Sequence, residues 1–123
     1  MQSKQQLIQA IYAAFNNREI EAALSNMHAD VDWPNGMEGG RIQGVAKVRD
    51  YWTRQWGMMN PRVEPLRIEN DQQGLTIVEV HQVVRDLSGN ILIDQIVHHT
   101  YTFRNGLIER MDIGRSDPRV VSG

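Results

Sequence analysis

A change in the spacing of apolar residues divides this sequence near Pro61. Beyond that proline, apolar and polar residues alternate, and alternation is typical of strands with one buried face. Short connections that contain glycine or asparagine separate the alternating segments, as expected for tight turns between neighbouring strands. The second half of the chain therefore predicts a long antiparallel meander, with strands over residues 62–69, 75–86, 91–103 and 107–115.

Before Pro61, apolar residues recur at intervals of three and four, as on the buried face of a helix. The segment 31–35 alternates briefly and then meets Pro34, which suits a short strand at the edge of a sheet. Helices first and strands after them predict an α+β domain whose helices cover one face of the sheet. The helices are predicted over residues 3–17, 19–28 and 45–58.

The size and composition of the chain limit what it can do. Its 123 residues fit a single domain, 1–123, with an irregular tail expected over 115–123. A net charge of -2 with both signs interspersed provides no basic surface for nucleic acid. No segment approaches the roughly 20 apolar residues of a membrane-spanning helix, and the N-terminus lacks the apolar stretch of a signal peptide. With no cysteine in the chain, these features predict a cytoplasmic protein that binds neither nucleic acid nor membrane.

The direction of the side chains in segment 91–103 decides which residues face the helices. Neighbouring residues of a strand point to opposite faces, and the odd-numbered set is the more apolar, so it is predicted to face inward. If residues 88–89 form a two-residue turn, the preceding strand directs its even-numbered residues to the same side. The predicted inward side chains of these two strands include Val80, Gln82, Gln95, Val97, His99 and Tyr101.

The last strand has two possible registers. A three-residue turn with glycine in the left-handed position places Glu109 and Met111 inward. A two-residue Asn-Gly turn would instead place Arg110 and Asp112 inward. The first alternative is favoured because its inward set is more apolar.

Neighbouring His98 and His99 resemble a metal-binding pair in sequence only. As neighbours in a strand they point to opposite faces and cannot hold one ion together, so no metal site is predicted. On the outer face, His98 is expected opposite Glu79 as a charge pair across two strands. The same face carries several apolar residues, which predicts a homodimer interface there.

With these elements placed, the chain resembles the nuclear transport factor two-like superfamily, and within it the SnoaL-like polyketide cyclases and the steroid delta-isomerases. The likeness rests on the helices and on two segments, Trp33-Pro34-Asn35-Gly36 and Tyr101-Thr102-Phe103-Arg104-Asn105-Gly106-Leu107-Ile108. The resemblance implies a cystatin-like cone, in which three N-terminal helices pack on a strongly curved antiparallel sheet around an interior pocket. It also implies a small-molecule ligand and a homodimer through the outer sheet face.

A residue-by-residue match to the isomerases shows that this chain lacks the side chains of their mechanism. The tyrosine that donates a hydrogen bond from the first helix in that family falls at Ile11 here, which has no donor. The aspartate base falls at Asn35, whose amide has no useful basicity near neutral pH, and the neutral carboxylic acid falls at His99. Steroid isomerisation by that mechanism is not expected, and the resemblance to the cyclases leaves His99 as the catalytic side chain.

The predicted site combines these arguments. His99 is the expected acid/base, because an unperturbed imidazole pKa of about 6.5 suits proton transfer around neutrality. Asn35 and Tyr101 are expected to orient a substrate carbonyl. The alternative is a partly buried histidine that hydrogen-bonds Gln95, Gln82 or a water. The pocket wall is predicted to contain Ile11, Phe15, Trp33, Trp52, Trp56, Val80, Gln82, Gln95, Val97 and Met111.

Three functions remain open at this point. The first is a SnoaL-like cyclase, isomerase or lyase that moves a proton on a small apolar carbonyl compound and needs no cofactor. The second is a non-catalytic protein that binds an apolar metabolite. The third is a protein-interaction module that uses the outer sheet face, and it predicts a cone filled by side chains.

Overall fold

The computed structural model describes residues 3–36 and 38–115, and it confirms the predicted α+β class. The expected irregular tail lies outside the described residues except for Arg115, which ends the last strand. The helices are α1 (Lys4–Asn16), α2 (Ile20–Leu24) and α3 (Val45–Met58). The strands are β1 (Met27–Pro34), β2 (Arg41–Gln43), β3 (Asn60–Asn70), β4 (Thr76–Arg85), β5 (Ile91–Arg104) and β6 (Leu107–Arg115).

These strands form one sheet in the order β2-β1-β6-β5-β4-β3. Strands β3 to β6 pair antiparallel in sequence order, as the alternating pattern predicts. Strand β1 pairs parallel with β6, so the expectation of a wholly antiparallel sheet is wrong. Parallel neighbours need a long connection, and here α3 and three strands of the meander lie between the two.

The chain passes from α2 to β1 earlier than predicted. The helix expected over residues 19–28 ends at Leu24, and β1 begins at Met27. The amide of Ile108 donates a hydrogen bond to the carbonyl of Asn26 over 2.9 Å, and Met27 lies beside Ile108 in the sheet. Helical spacing cannot reveal this pairing with a distant strand, and the pairing takes these residues out of the helix.

Strand β1 also does not lie at the edge of the sheet, as the sequence suggested. Strand β2 covers it by antiparallel pairing, with Trp33 opposite Ile42. Sequence analysis missed β2 because three residues are too few for alternation to be recognised. The edge position inferred from Pro34 is therefore wrong, and the proline instead ends β1.

The register of β4 and β5 follows the prediction over most of their length. Val80 lies opposite Val97, and Gln82 lies opposite Gln95. The register shifts only near the turn, beyond Val84, so the residues predicted to face inward keep their direction.

The turn between β5 and β6 differs from the favoured prediction. Asn105 and Gly106 form a two-residue turn, with φ angles of 53° and 81°. Asparagine and glycine tolerate this left-handed conformation, and the twist of such a turn suits a hairpin. The three-residue turn is therefore wrong.

A β-bulge next to this turn nevertheless directs Met111 inward. The register shifts between Thr102 and Phe103, which restores the side-chain direction that the two-residue turn would have reversed. Met111 pairs with Tyr101 and is buried. The extra residue is Glu109, which forms an ion pair of 2.7 Å with Arg104, so its expected inward position is wrong.

Helices α1 and α3 cover the inner face of the sheet. A capping box of Ser3 and Gln6 starts α1, which satisfies backbone groups of its first turn. The buried faces of the two helices and the inner sheet residues form one apolar core. Among the described residues, no helix has the length and apolar character needed to cross a membrane.

Candidate functional site

A cavity of about 470 Å³ lies between the two long helices and the inner face of the sheet. Its wall includes most of the side chains that the sequence predicted to face a pocket. These are Ile11, Phe15, Trp33, Trp52, Gln82, Gln95, Val97, His99, Tyr101 and Met111.

Three predicted residues lie outside the cavity wall. Val80 is fully buried in the core. Trp56 packs against the rings of Phe15 and Trp52 instead of facing the cavity. The Asn35 side chain donates to Glu38 Oε1 over 2.9 Å and accepts from the Glu38 amide over 2.8 Å, so it is used within its own turn.

The exposure of the side chains along β5 shows which end of the cavity is open. Ile93 is 41% exposed, whereas His99 is 6% and Tyr101 is 1% exposed. These three residues lie on the same face of β5, so the cavity runs along the strand from an open end near Ile93 to a closed end near Tyr101.

Aromatic rings form much of the apolar wall. The Trp52 ring lies edge-on to Phe15 at 5.2 Å and edge-on to Trp33 at 5.7 Å between centroids. Edge-to-face packing of this kind holds large rings in fixed positions. The wall therefore presents rigid apolar surface to a ligand.

The closed end contains a continuous hydrogen-bonded set, here called the Tyr12–His99–Tyr101 chain. The hydroxyl of Tyr101 donates to the hydroxyl of Tyr12 over 2.9 Å. The Tyr12 hydroxyl lies 2.6 Å from Nδ1 of His99. All three side chains are buried and line the cavity.

The hydrogen bonds of Tyr12 fit one neutral tautomer of His99, which we assign here. With Tyr101 as the donor, the Tyr12 oxygen accepts that hydrogen bond, and the single hydroxyl proton of Tyr12 is left to be donated to Nδ1. A neutral imidazole that accepts at Nδ1 carries its proton at Nε2. No hydrogen bond joins this Nε2 to another group within the part of the chain described, so it is available to a ligand.

Burial keeps His99 neutral. The loss of hydration, with a smaller contribution from the charge of His98, lowers the pKa of His99 from 6.5 to about 4. The expectation of an unperturbed pKa is therefore wrong. In a buried site the charged imidazolium is not stabilised by hydration, so protonation is less favourable. Burial also raises the pKa of Tyr12 and of Tyr101 above their usual value, so both remain protonated near neutral pH.

Sequence analysis did not identify Tyr12. The residue-by-residue match placed the expected helix donor at Ile11, and Tyr12 is the next residue. One available signal was helical spacing, because Tyr12 follows Ile8 by four positions and precedes Phe15 by three. One alternative had suggested that Gln82 or Gln95 hydrogen-bonds His99, but these two side chains bond each other, and the described partner of His99 is Tyr12.

A second polar group lies towards the open end. Gln95 donates to Oε1 of Gln82 across the two strands over 2.8 Å, and both side chains line the cavity. Among the side chains that the structure describes, the wall includes no Asp, Glu, Lys or Arg. The described wall is therefore mostly apolar with a few uncharged polar groups, which is the usual makeup of a small-molecule site. Besides the Tyr12–His99–Tyr101 chain and the glutamine pair, Tyr51 and Gln55 also line the cavity.

The histidines on the outer face form cross-strand pairs. Glu79 lies opposite His98, as predicted, with Oε2 and Nε2 3.7 Å apart. His81 contacts Asp94 at 2.7 Å. Over residues 3–36 and 38–115, no group of three or more His, Cys, Asp or Glu is arranged to hold a metal ion.

The sequence and fold were compared with known proteins. The SnoaL-like domain family matches residues 8–111. Among solved structures, the chain is similar to TerC co-crystallised with polyporic acid, at 28% identity and a TM-score of 0.78, over 96% of this chain and 94% of TerC. No curated protein matches the sequence.

Two more distant structures share the fold. A candidate polyketide cyclase from Pseudomonas putida is 18% identical with a TM-score of 0.75, over 99% of this chain and 98% of that chain. A protein from Catenulispora acidiphila with a ketosteroid isomerase-like fold, in complex with trimethylamine, is 14% identical with a TM-score of 0.78, over 93% and 88%. The family match over residues 8–111 confirms the resemblance inferred from the sequence, whereas these two structures, at such identities, speak for the fold alone.

Proposed function

This chain belongs to the SnoaL-like domain family, and we propose that its cavity binds a small, largely apolar carbonyl compound on which the Tyr12–His99–Tyr101 chain moves a proton. The observation that carries the proposal is the buried contact between Tyr12 and Nδ1 of His99, at the closed end of an apolar cavity. The reaction class is that of a cyclase, isomerase or lyase.

In the resting arrangement, His99 is a hydrogen-bond donor. Its Nε2–H group faces the cavity while Tyr12 donates to Nδ1. A substrate carbonyl that accepts this hydrogen bond becomes polarised, and its neighbouring C–H bond becomes more acidic. A neutral imidazole does this without placing a charge in an apolar cavity.

The hydrogen bonds of the Tyr12–His99–Tyr101 chain can also run in the opposite direction, and His99 is then a base. To reach this state, Nε2 gives its proton to an oxygen in the cavity, Tyr12 passes its proton to Nδ1, Tyr101 passes its proton to Tyr12, and Tyr101 takes a proton from water in the cavity. Nδ1–H then donates to Tyr12, Tyr12 donates to Tyr101, and Tyr101 donates to a substrate oxygen. The Nε2 lone pair then takes a proton from the carbon next to the carbonyl. The C–H bond breaks, an N–H bond forms, and the electron pair moves to the carbonyl oxygen as an enolate. Return of the proton to another atom completes the transfer.

The flat, apolar frame of the ligand is supported by the cavity wall and by one relative. Aromatic rings and branched aliphatic side chains favour a flat, uncharged molecule. TerC, the relative with 28% identity, was co-crystallised with polyporic acid. Polyporic acid is therefore a suitable first probe of binding to this chain.

Hydrogen–deuterium exchange tests the proton transfer without knowledge of the final product. The protein is incubated in deuterated buffer with enolisable aryl ketones, such as 2-tetralone and phenylacetone, and NMR follows exchange next to the carbonyl. We expect exchange faster than in buffer alone, and loss of most of that acceleration in His99→Gln.

His98→Gln is the matched control, because it changes the neighbouring histidine on the opposite face of the same strand. It should leave the exchange rate unchanged. Equal exchange rates with His99→Gln and with the wild-type protein would rule out a catalytic role for His99.

The second candidate function is a non-catalytic binding protein. It is favoured by the absence of Asp and Glu from the described part of the cavity wall and by the low pKa of His99, since both reduce the basicity available to a substrate. Retention of an organic compound on the purified protein, seen by mass spectrometry, with no exchange in any ketone, would favour binding over catalysis. The interaction-module function predicted a filled interior, and the cavity counts against it.

We also propose that the outer sheet face pairs two copies of the chain. Ile77, Val83 and Ile96 lie on this face by the register of β4 and β5. Leu92, which is 55% exposed, lies next to them in β5 at the register shift. Apolar surface of this kind marks an interaction site more often than a free surface. We expect a dimer by sedimentation, and a monomer for Leu92→Glu; a monomeric unchanged protein would overturn the proposal.

A further inference from the structure

We infer that Gln82 and Gln95 form a second recognition point in the cavity, so that the preferred ligand is an uncharged molecule with an oxygen group at each end of an apolar middle. This inference rests on the proposed function, because it requires the cavity to be a ligand site. It adds the shape and polarity of the ligand, which the Tyr12–His99–Tyr101 chain alone does not specify.

The glutamine pair leaves several hydrogen-bonding groups unused. Gln95 uses one amide N–H and Gln82 uses its Oε1 in their mutual bond of 2.8 Å. The Gln95 oxygen, its second N–H and the amide of Gln82 have no other partner among the described residues. A glutamine amide has two N–H donors and one oxygen acceptor, so the pair can both donate to a carbonyl and accept from a hydroxyl.

The mutual bond also makes this recognition point rigid. Free glutamine side chains lose rotamer freedom when a ligand binds, which weakens the net gain. Here each amide is already held by its partner on the neighbouring strand. Binding a ligand oxygen therefore costs less ordering than it would at two separate glutamines.

The distance between the two polar places sets the length of the ligand. Gln95 and His99 lie on the same face of β5, four residues apart, which corresponds to about 13 Å along the strand. The residue between them on that face is Val97, which is buried and lines the cavity. A ligand that meets both places thus needs an apolar middle with polar groups at opposite ends.

The charge of the wall determines the charge of the ligand. Neither polar place carries a formal charge near neutral pH, because burial keeps His99 neutral and amides do not titrate. The wall formed by the described side chains contains no acidic or basic residue, so a charged end group would lose hydration there without gaining a partner of opposite charge among them. Hydroxyl, ketone and ester groups fit this setting.

Three probes of one rigid frame test the inference: trans-stilbene, trans-4-hydroxystilbene and trans-4,4′-dihydroxystilbene. Binding is followed through quenching of the tryptophan fluorescence, since Trp33 and Trp52 line the cavity. We expect the dihydroxy probe to bind about 5- to 10-fold more tightly than the monohydroxy probe, beyond the statistical factor for its two orientations, as one added hydrogen bond would give.

The double variant Gln82→Leu/Gln95→Leu should remove this preference while it keeps or increases the affinity for the monohydroxy probe. The single variant Gln95→Met removes half of the pair with a smaller change in shape, and it should reduce the preference. Gln43→Leu is the matched control, because this exposed glutamine lies on β2 and does not line the cavity. It should keep the preference of the unchanged protein.

The outcomes separate this inference from the proposed function. Equal binding of the mono- and dihydroxy probes to the unchanged protein would overturn the second recognition point and leave the cavity as a ligand site. A preference that persists in the double variant would assign it to other residues. Failure of all three probes to bind would count against the cavity as a site for such ligands, and so against both proposals.

Discussion

The hydroxyl of Tyr12 on α1 lies 2.6 Å from Nδ1 of His99 on β5, although 87 positions separate the two residues in the chain. This contact joins the first helix to the middle of the sheet. It also holds Nδ1 of the imidazole that lines the cavity. The stability and the chemistry of this protein therefore depend on the same buried hydrogen bond.

Removal of the Tyr12 hydroxyl should be costly. In Tyr12→Phe, Nδ1 of His99 and the hydroxyl of Tyr101 both lose their partner in a buried setting. We expect a loss of about 2 to 4 kcal/mol in the free energy of unfolding by urea, since each buried unpaired polar group costs about 1 to 3 kcal/mol.

Tyr101→Phe is the comparison, because it removes only the first member of the chain and keeps the bond between Tyr12 and His99. We expect a loss of about 1 kcal/mol for this variant. A cost for Tyr12→Phe no larger than that for Tyr101→Phe would contradict the role of Tyr12 as the central member.

The low pKa of His99 makes stability depend on pH. Its pKa is about 4 in the folded protein and about 6.5 in the unfolded chain. Between these values the unfolded chain binds more protons, so the free energy of unfolding falls as the pH is lowered from about 6.5 to about 4, by roughly 3 kcal/mol in total. Above that window His99 contributes no pH dependence.

Two measurements check this behaviour. NMR titration should show the His99 ring unprotonated at pH 6. Denaturant unfolding at several pH values should show a shallower dependence for His99→Gln over the same window, and His98→Gln should keep the steeper one. A His99 resonance that titrates near 6.5 would contradict the assignment.

Asn16 should stabilise the docking of α1 on the sheet. Its side chain donates to the carbonyl of Val63 over 2.7 Å and accepts from the Val63 amide over 2.9 Å. Strand β3 is the last in the sheet, so this side chain pairs backbone groups that would otherwise lie at a free edge.

We expect Asn16→Ala to lower the free energy of unfolding by about 1 to 3 kcal/mol, since two hydrogen bonds are lost. The neighbouring, exposed Asn17 provides the control, and Asn17→Ala should change stability by less than about 0.5 kcal/mol. Similar values for the two variants would show that the contact with β3 contributes little.

Trp56 and Trp52 should respond differently to the same substitution. The Nε1 of Trp56 is buried without a hydrogen-bond partner among the described residues. Trp56→Phe removes this unsatisfied donor, which offsets part of the lost packing. Trp52 has no such defect, and it packs on both Phe15 and Trp33.

We therefore expect Trp56→Phe to lower the melting temperature less than Trp52→Phe does. Thermal unfolding followed by circular dichroism measures both. The reverse order would mean that the packing of Trp56 against its neighbours outweighs its unpaired nitrogen.

Strand parity is what the sequence determined most securely. Alternation in a strand is a local consequence of backbone geometry, so the spacing of Val97, His99 and Tyr101 was enough to predict that they share one face. Helical spacing predicted α1 and α3 for the same reason. The apolar character of the cavity followed from these local patterns together.

Contacts between distant segments were decided only by the tertiary structure. The parallel pairing of β1 with β6, the short strand β2 and the bulge at Glu109 all depend on partners far away in the chain. No local period encodes such partners, and the sum of many packing contacts selects them.

The chemistry of the candidate site divides in the same way. The sequence by itself directed His99 inward, because that requires only alternation along one strand. Its tautomer and its low pKa required the position of the Tyr12 hydroxyl and the depth of burial. Both are set by how α1 docks on the sheet, because the free energy of protonating a buried imidazole depends on the groups packed around it.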